Sequence, residues 1–296
     1  HAIGTGGRDL NAKVGAITVK DAIVGLEHHD PTDVIVVISK PPAKEVRDEV
    51  VALLQKCTKP VVAIFLGEKP ENHEGKVYLA HTLEETARMA VDLANGDPVK
   101  DNYCDPIDYE VSRPLAADKT VKGLYSGGSL AAEAGMLIAE ALNLGCLIKE
   151  EGYILKTGGY EVVDLGDDVY TQGKPHPMID PEVRIKKILE CAKDPQTGVI
   201  LLDCMLGYGC HPDMAGALAP AIREAQKIAK ADGRELYFVA SVCGTRQDPQ
   251  DYDRAVAELK ECGVLVEESN ARAIRLALKL KGIDYKENTR GHVEAA

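Results

Sequence analysis

Residues Val121–Leu142 read VKGLYSGGSLAAEAGMLIAEAL. The short apolar run Val121–Tyr125 predicts a buried strand, and the glycine-rich segment Ser126–Ser129 predicts a tight turn directly after it. Apolar residues then recur at helical spacing from Leu130 to Leu142, which predicts a helix with one apolar face. A strand, a glycine-rich turn and a helix in this order are typical of the first unit of an α/β fold.

The remainder of the second half alternates between apolar strands and helices. The predicted strands are Val162–Leu165, Val199–Cys204, Leu236–Val242 and Val264–Val266, and the predicted helices are Glu182–Ala192, Ala217–Ala231, Asp251–Glu261 and Asn270–Leu280. Continuous apolar strands that alternate with helices are typical of a parallel sheet covered on both faces. This order predicts a flavodoxin-like, doubly wound α/β domain over residues 121–282.

The first half repeats this pattern but has no counterpart of Val121–Leu142. The matching strands are Val34–Ser39, Val61–Leu66 and Val77–Leu79. With Gly4 aligned to Gly166, the missing unit would begin about 40 residues before His1. We therefore expect residues 1–95 to form a first flavodoxin-like domain that is truncated at its N-terminus, with an open sheet edge. The proline- and acid-rich segment 96–120 is predicted to be a linker, and residues 283–296 a polar tail.

Composition excludes several classes of function. The chain has 296 residues and a formal net charge of −12. An acidic surface repels phosphate backbones and anionic lipids, which argues against nucleic-acid and membrane partners. No apolar run approaches the ~20 residues of a membrane span. The eight cysteines include no C-x-x-C pair, so the sequence indicates no metal site and favours reduced thiols in a cytoplasmic protein, with Cys243 interpreted as a core thiol.

The candidate ligand site lies in the loops that follow the strands of the second half. In open α/β sheets, ligands bind at the carboxyl ends of the strands. Ser126, Gly127, Gly128 and Ser129 could bind an anion through backbone N–H groups at a helix N-terminus, although a tight turn without a ligand explains them equally well. His176, between two prolines, could act as a general acid or base, or could hydrogen-bond its own loop.

Further candidates surround this turn. Asp167 and Asp168 could bind a cation or a substrate amine, and helix capping explains them as well. Arg246 could clamp a carboxylate or phosphate, or could pair with Asp248 at the surface. The remaining candidates are glycines that permit close approach of a ligand, a neighbouring threonine, and two cations of the first half that could hold an anion near the domain interface. They are Gly207, Gly209, Gly244, Thr245, Arg8 and Lys40.

Six long motifs resemble the FdrA family, which belongs to the NDP-forming acyl-CoA synthetase (succinyl-CoA ligase) superfamily, and they span nearly the whole chain. They are IGTGGRDLNAKVGAI (3–17), VISKPPAKEV (37–46), GLYSGGSLAAEAGML (123–137), VVDLGDDVYTQGKPHPMIDPEVR (162–184), LLDCMLGYGCHPDMAGALAP (201–220) and VASVCGTRQDPQ (239–250). The resemblance implies two CoA-ligase-type domains, preceded in full-length members by a CoA-binding domain. It also implies a role as one subunit of an oligomeric enzyme in purine and allantoin breakdown, where such proteins are associated with carbamoyl transfer between oxamate and carbamoyl phosphate.

The sequence departs from the superfamily at one motif that bears on the type of reaction. The superfamily's ligases use a phosphorylated histidine in a Gly-His-Ala-Gly-Ala loop, and the segment after Val61–Leu66 contains no such loop. We therefore expect a small anionic substrate, such as carbamoyl phosphate, oxamate or an acyl-CoA, with no cofactor assigned beyond CoA or a phosphorylated substrate. Two alternatives stay open: acyl-CoA formation together with partner chains, and a non-catalytic structural subunit.

Overall fold

The computed structural model describes residues 1–145 and 150–286. These residues form two compact units, His1–Asp105 and Pro106–Lys286. The boundary falls inside the segment 96–120, which the sequence indicates as a linker. The later part of that segment packs on the second unit, because the N–H of Leu115 donates to the carbonyl of Leu280 at 2.8 Å.

The first unit is built on a parallel sheet of three strands. After a 3-10 turn at Gly7–Leu10, its elements are α1 (Ile17–Glu27), β1 (Ile35–Ser39), α2 (Lys44–Leu54), β2 (Val61–Phe65), β3 (Val77–Ala80) and α3 (Leu83–Asn95). The sheet order is β1-β2-β3, with both pairs parallel. Strand β2 is buried throughout, whereas β1 forms an edge and exposes Val36 and Ile38. The three strands lie where the repeat predicts them, and the truncation of a flavodoxin-like domain stays a prediction.

The second unit has a sheet of six strands with helices on both faces. Its elements are β4 (Thr120–Tyr125), α4 (Gly128–Ala141), β5 (Tyr153–Thr157), β6 (Tyr160–Asp164), α5 (Asp168–Thr171), α6 (Glu182–Lys193), β7 (Thr197–Met205), α7 (Met214–Ala231), β8 (Tyr237–Cys243), α8 (Tyr252–Glu261), β9 (Val264–Glu267) and α9 (Asn270–Leu280). The strand order is β5-β6-β4-β7-β8-β9. Without β5, this is the order 2-1-3-4-5 of flavodoxin-like sheets, so the predicted fold class is confirmed.

Two apolar cores cover the two faces of this sheet. One contains Leu137 of α4 and Ile274 of α9, and the other contains Ile188 of α6, Leu218 of α7 and Leu259 of α8. The chain leaves β4 towards β6 and then returns to β7 on the other side of β4. The crevice between the carboxyl ends of β4 and β7 is therefore the topological switch point, where doubly wound sheets bind ligands.

Strand β5 is an addition that the sequence analysis missed. It pairs antiparallel with β6, while the other pairs of this sheet are parallel. The hairpin turn is Gly158–Gly159, whose φ angles of 56° and 85° both lie in the left-handed region. A two-residue turn of this kind favours glycine because other residues are strained there.

Within the described ranges, no helix has both the length and the apolar character needed to cross a bilayer. The seven cysteines of these ranges are free thiols, and Cys146 lies outside them. Cys191 and Cys204 are buried, and burial raises the pKa of each thiol to about 12. Cys243, interpreted from the sequence as a core thiol, is exposed, because it ends β8 at the rim of the sheet.

Candidate functional site

The carboxyl ends of four parallel strands lie side by side in the second unit. Tyr125 of β4 pairs with Asp164 of β6, and Met205 of β7 pairs with Cys243 of β8. The loops that begin directly after these strands therefore start at one edge of the sheet. The topology thus places the predicted turn at Ser126 and the segments after β6, β7 and β8 on the same edge.

The turn after β4 ends in an uncapped helix N-terminus. Helix α4 begins at Gly128, and no side chain caps it. The first backbone bond of the helix joins the N–H of Ala131 to the carbonyl of Gly127 at 2.9 Å. Among the described residues, no hydrogen bond uses the N–H groups of Gly128, Ser129 and Leu130. Three such groups at the positive end of a helix dipole favour an anion.

Asp203, near the end of β7, fixes the conformation of the turn through hydrogen bonds. Its carboxylate accepts the N–H of Ser126 at 3.0 Å, the hydroxyl of Ser126 at 3.0 Å and the N–H of Gly127 at 2.8 Å. The side chain is fully buried, with an exposed fraction of 0%. The backbone donors of Ser126 and Gly127 are therefore engaged by the protein itself, and the N–H groups left for a ligand lie at Gly128 and beyond.

Arg184 of α6 completes this buried cluster. Its Nη2 donates to Oδ1 of Asp203 at 2.9 Å and to the carbonyl of Asp203 at 2.6 Å. The side chain has an exposed fraction of 0%, and its Nε and Nη1 have no hydrogen-bond partner in the described part of the chain. Sequence reasoning missed both residues. Asp203 carries a signal, since it interrupts the apolar run of β7, whereas Arg184 carries none.

His176 lies against the same turn. A methyl group placed on Gly166 would come within 2.5 Å of Nε2 of His176 and 2.9 Å of the carbonyl oxygen of Ser126. Gly166 therefore lies against both His176 and Ser126. Nδ1 of His176 accepts the N–H of Met178 at 3.3 Å, so the neutral ring carries its proton on Nε2, the atom beside Gly166. This placement brings the predicted acid or base close to the predicted anion-binding turn.

The paired aspartates after β6 have different surroundings. Asp167 caps the short helix α5, since its carboxylate accepts the N–H of Val169 at 3.2 Å. Asp168 is exposed. In residues 1–145 and 150–286, no group of histidine, cysteine, aspartate and glutamate side chains is arranged to hold a metal ion. Capping, one of the two explanations that the sequence left open, therefore accounts for Asp167.

Gln250 ties the loop after β7 to the loop after β8. Its Oε1 accepts the N–H of Gly207 at 2.9 Å, and its Nε2 donates to the carbonyls of Gly207 at 3.0 Å and His211 at 3.3 Å. Gly207 and Gly209 have φ angles of 126° and 82°, where side-chain-bearing residues are strained. Tyr208 between them is 92% exposed. These bonds hold the loop in one shape and project Tyr208 into solvent.

Gly244 and Arg246 lie in the loop after β8. A methyl group on Gly244 would come within 2.6 Å of the side chain of Leu206, so glycine is needed there for packing. Arg246 is exposed and donates to both carboxylate oxygens of Asp253 at 2.9 Å. The surface pairing considered from the sequence, with Asp248, does not form, because Asp248 instead accepts the N–H of Thr245.

Arg8 and Lys40 belong to the first unit and are both exposed. The loops that carry them adjoin, since a methyl group on Gly7 would lie 3.9 Å from Cδ of Lys40. The hypothesis that Arg8 and Lys40 hold an anion near the domain interface stays a prediction.

Comparison with known proteins identifies the family of this chain. Residues 124–280 match the family model described as CoA-ligase. The chain is 37% identical over 292 residues to the uncharacterized protein YahF of Escherichia coli (strain K12), in an alignment that covers 93% of this chain and 56% of YahF. The chain thus spans little more than half the length of that relative. The family match runs from the end of β4 through α9 and includes the turn, Arg184, Asp203 and the loops after β6, β7 and β8. The chain therefore belongs to the CoA-ligase family.

Proposed function

We propose that the chain is an FdrA-like subunit of a cytoplasmic, oligomeric enzyme that transfers an acyl or carbamoyl group. The substrate would be a small anion that carries a phosphate or carboxylate, of the class of carbamoyl phosphate and oxamate. Membership of the CoA-ligase family supports acyl-group chemistry. The observation that carries the proposed site is the uncapped N-terminus of α4, where Gly128, Ser129 and Leu130 present three backbone N–H groups.

The chemistry of this site would rest on charge stabilisation and positioning. In acyl transfer from a phosphorylated donor, a nitrogen of the acceptor forms a bond to the carbonyl carbon, the bond from that carbon to the phosphate oxygen breaks, and the phosphate leaves with its electron pair. Backbone N–H groups aimed at the developing negative charge lower the barrier to that step. His176, beside the turn, would donate a hydrogen bond from its Nε2–H to the leaving phosphate oxygen, while the proton of the acceptor nitrogen passes to solvent. Arg246 would release the carboxylate of Asp253 and bind the carboxylate of the substrate instead.

An activated donor removes the need for a phosphohistidine. Carbamoyl phosphate already contains the mixed anhydride that the superfamily's ligases build with their histidine loop. The absence of that loop after Val61–Leu66 is therefore compatible with transfer from a ready-made donor.

One substitution at α4 tests the site without disturbing the helix. Gly128 is the first residue of α4, a position where proline is well tolerated and where the N–H has no intrahelical partner. Gly127 before it has φ −107° and ψ 112°, which suits a residue that precedes proline. Gly128→Pro therefore removes one ligand-facing donor, whereas the matched control Gly128→Ala keeps it.

Isothermal titration calorimetry with carbamoyl phosphate, oxamate, CoA and succinyl-CoA measures the outcome. We expect saturable binding of carbamoyl phosphate or oxamate by the wild type. A charge-assisted hydrogen bond contributes about 1.5–3 kcal/mol, so Gly128→Pro should weaken binding about 10- to 100-fold while Gly128→Ala stays close to wild type. No binding of any of the four ligands, or equal binding by the proline variant, contradicts the proposal.

A second candidate is acyl-CoA formation in combination with partner chains, which the family match favours. Binding of CoA or succinyl-CoA, with none of carbamoyl phosphate or oxamate, would select it.

A further inference from the structure

We propose that Arg184 and Asp203 are positioning residues, a charge-neutral pair that shapes the anion-binding turn before a ligand arrives. This inference rests on the proposed function of the turn. The two side chains are the buried salt bridge at the switch point between β4 and β7, with an Nη2 to Oδ1 distance of 2.9 Å and an exposed fraction of 0% for each.

The first part of the role belongs to Asp203, which orders the turn. The turn contains two consecutive glycines, whose backbone has more freedom than that of any other residue type. The Asp203 carboxylate removes that freedom by binding three donors: the N–H and the hydroxyl of Ser126 and the N–H of Gly127. Once these donors are fixed, the next three N–H groups of α4 face outward together. Asp203 thus acts as an internal anion beneath the site.

The second part belongs to Arg184, which balances the charge. A carboxylate directly beneath an anion-binding turn would repel the ligand, and low-dielectric surroundings would strengthen that repulsion. The guanidinium of Arg184 holds this carboxylate through its Nη2. Its Nε and Nη1 make no hydrogen bond among the described residues, so its charge is not otherwise committed. The positive potential at the N-terminus of α4 therefore stays available to a ligand.

A contribution to the stability of the fold does not by itself explain why Arg184 and Asp203 are charged. Replacing a buried ion pair by apolar residues of similar volume is often neutral or stabilising. The double variant Arg184→Met/Asp203→Leu should therefore fold, and it removes both charges without leaving one unpaired. The single variant Arg184→Met keeps the Asp203 carboxylate as acceptor for the turn but removes its countercharge, so it should also lower the stability of the fold.

Lys122, in the strand that precedes the turn, provides a matched control. It is buried in β4 and pairs with Glu161 and Asp194, each at 3.2 Å, four residues before Ser126. Lys122→Met therefore removes a buried lysine from its ion pairs with two partly exposed carboxylates, away from the turn.

Two measurements separate the positioning role from simple stability. The first is hydrogen exchange of the Ser126 and Gly127 amides in the full chain, measured by NMR. The second is the dissociation constant for inorganic phosphate and carbamoyl phosphate. In the double variant, we expect exchange of both amides to accelerate at least tenfold and affinity to fall at least tenfold. In Arg184→Met, affinity should fall while both amides stay slow, and Lys122→Met should leave both readouts at wild-type values.

The outcomes distinguish this inference from the proposed function. If the wild type binds neither phosphate nor carbamoyl phosphate while the double variant loses amide protection, the proposed function fails and the ordering role of Asp203 stands. Unchanged exchange in the double variant overturns the pair as a positioning device. If the double variant shows accelerated exchange but keeps the wild-type dissociation constant, the positioning role is overturned as well. The ordering of the turn would then make no contribution to ligand affinity.

Discussion

Gly166→Ala tests the contact between the loop after β6 and the turn proposed to bind an anion. The φ angle of Gly166 lies outside the left-handed region, so alanine suits the backbone conformation. The obstacle is space, because the new methyl group would lie 2.5 Å from Nε2 of His176 and 2.9 Å from the carbonyl oxygen of Ser126. The imidazole can move only by giving up the N–H of Met178, and the carbonyl belongs to a turn that Asp203 holds.

The magnitude follows from this crowding. An added methyl group in a well-packed site costs about 1–3 kcal/mol. For a domain of this size, about 2–4 °C of melting temperature is lost per kcal/mol, so we expect a decrease of about 2–12 °C. The same displacement should weaken binding of carbamoyl phosphate, since Ser126 begins the turn.

The assay is thermal and urea unfolding of four proteins: wild type, Gly166→Ala, His176→Ala and the double variant. Removal of the imidazole relieves one of the two close contacts, so the double variant should regain part of the loss. The coupling between the two substitutions should be about 0.5–3 kcal/mol. Gly4→Ala is the control, because nothing lies within 4 Å of its methyl position. It should change stability by less than about 0.5 kcal/mol.

Two results would refute the reasoning. The first is a Gly166→Ala protein that melts within about 1 °C of wild type, which would mean that the packed distances are wrong. The second is strict additivity of the changes in unfolding free energy caused by Gly166→Ala and His176→Ala. That result would show that His176 does not contact the new methyl group.

Gly25→Ala, inside α1 with open space at its methyl position, should stabilise the first unit by about 0.5–1 kcal/mol in urea unfolding, and a loss would show hidden crowding. Cys204, buried and with its pKa raised to about 12, should resist iodoacetamide at pH 8 in the native protein and react in urea, as peptide mass spectrometry would show. Burial alone would raise the pKa of Asp194, but the Gln196 amide and the Lys122 ammonium outweigh it and lower that pKa. The carboxylate therefore stabilises the fold above about pH 4, and the stability difference between wild type and Asp194→Asn should shrink as the pH falls below that value; a constant difference from pH 6 to pH 3 would contradict this.

The sheet was predictable because its parallel strands are buried on both faces. Such strands appear in the sequence as continuous apolar runs, as in β7 and β8. Strand β5 has no such pattern, since Tyr153–Thr157 is only partly buried and lies at an edge. The pair Gly158–Gly159, a favoured two-residue hairpin turn, is the signal that would have indicated it.

The positions of the loops that form the candidate site were predictable, and their role in ligand binding stays a prediction. The rule that ligands bind at strand carboxyl ends located the turn at Ser126 and placed His176 near it. Two facts were beyond the sequence. Local pattern does not show that Arg184, on the buried side of an amphipathic helix, reaches Asp203. Likewise, nothing near Arg246 in the sequence ranks Asp253 above Asp248 as its partner.

The bond between Asp203 and the turn also constrains the order of folding. Ser126 and Asp203 are 77 residues apart, so their contact requires closure of a long stretch of chain. The hairpin of β5 and β6 involves neighbouring residues, and hairpins form in about 1–10 μs. Contacts between distant segments form later because their loop-closure entropy is larger. The turn at Ser126 should thus become ordered only after β4 and β7 have paired, and a partly folded chain can contain the hairpin before this turn is ordered.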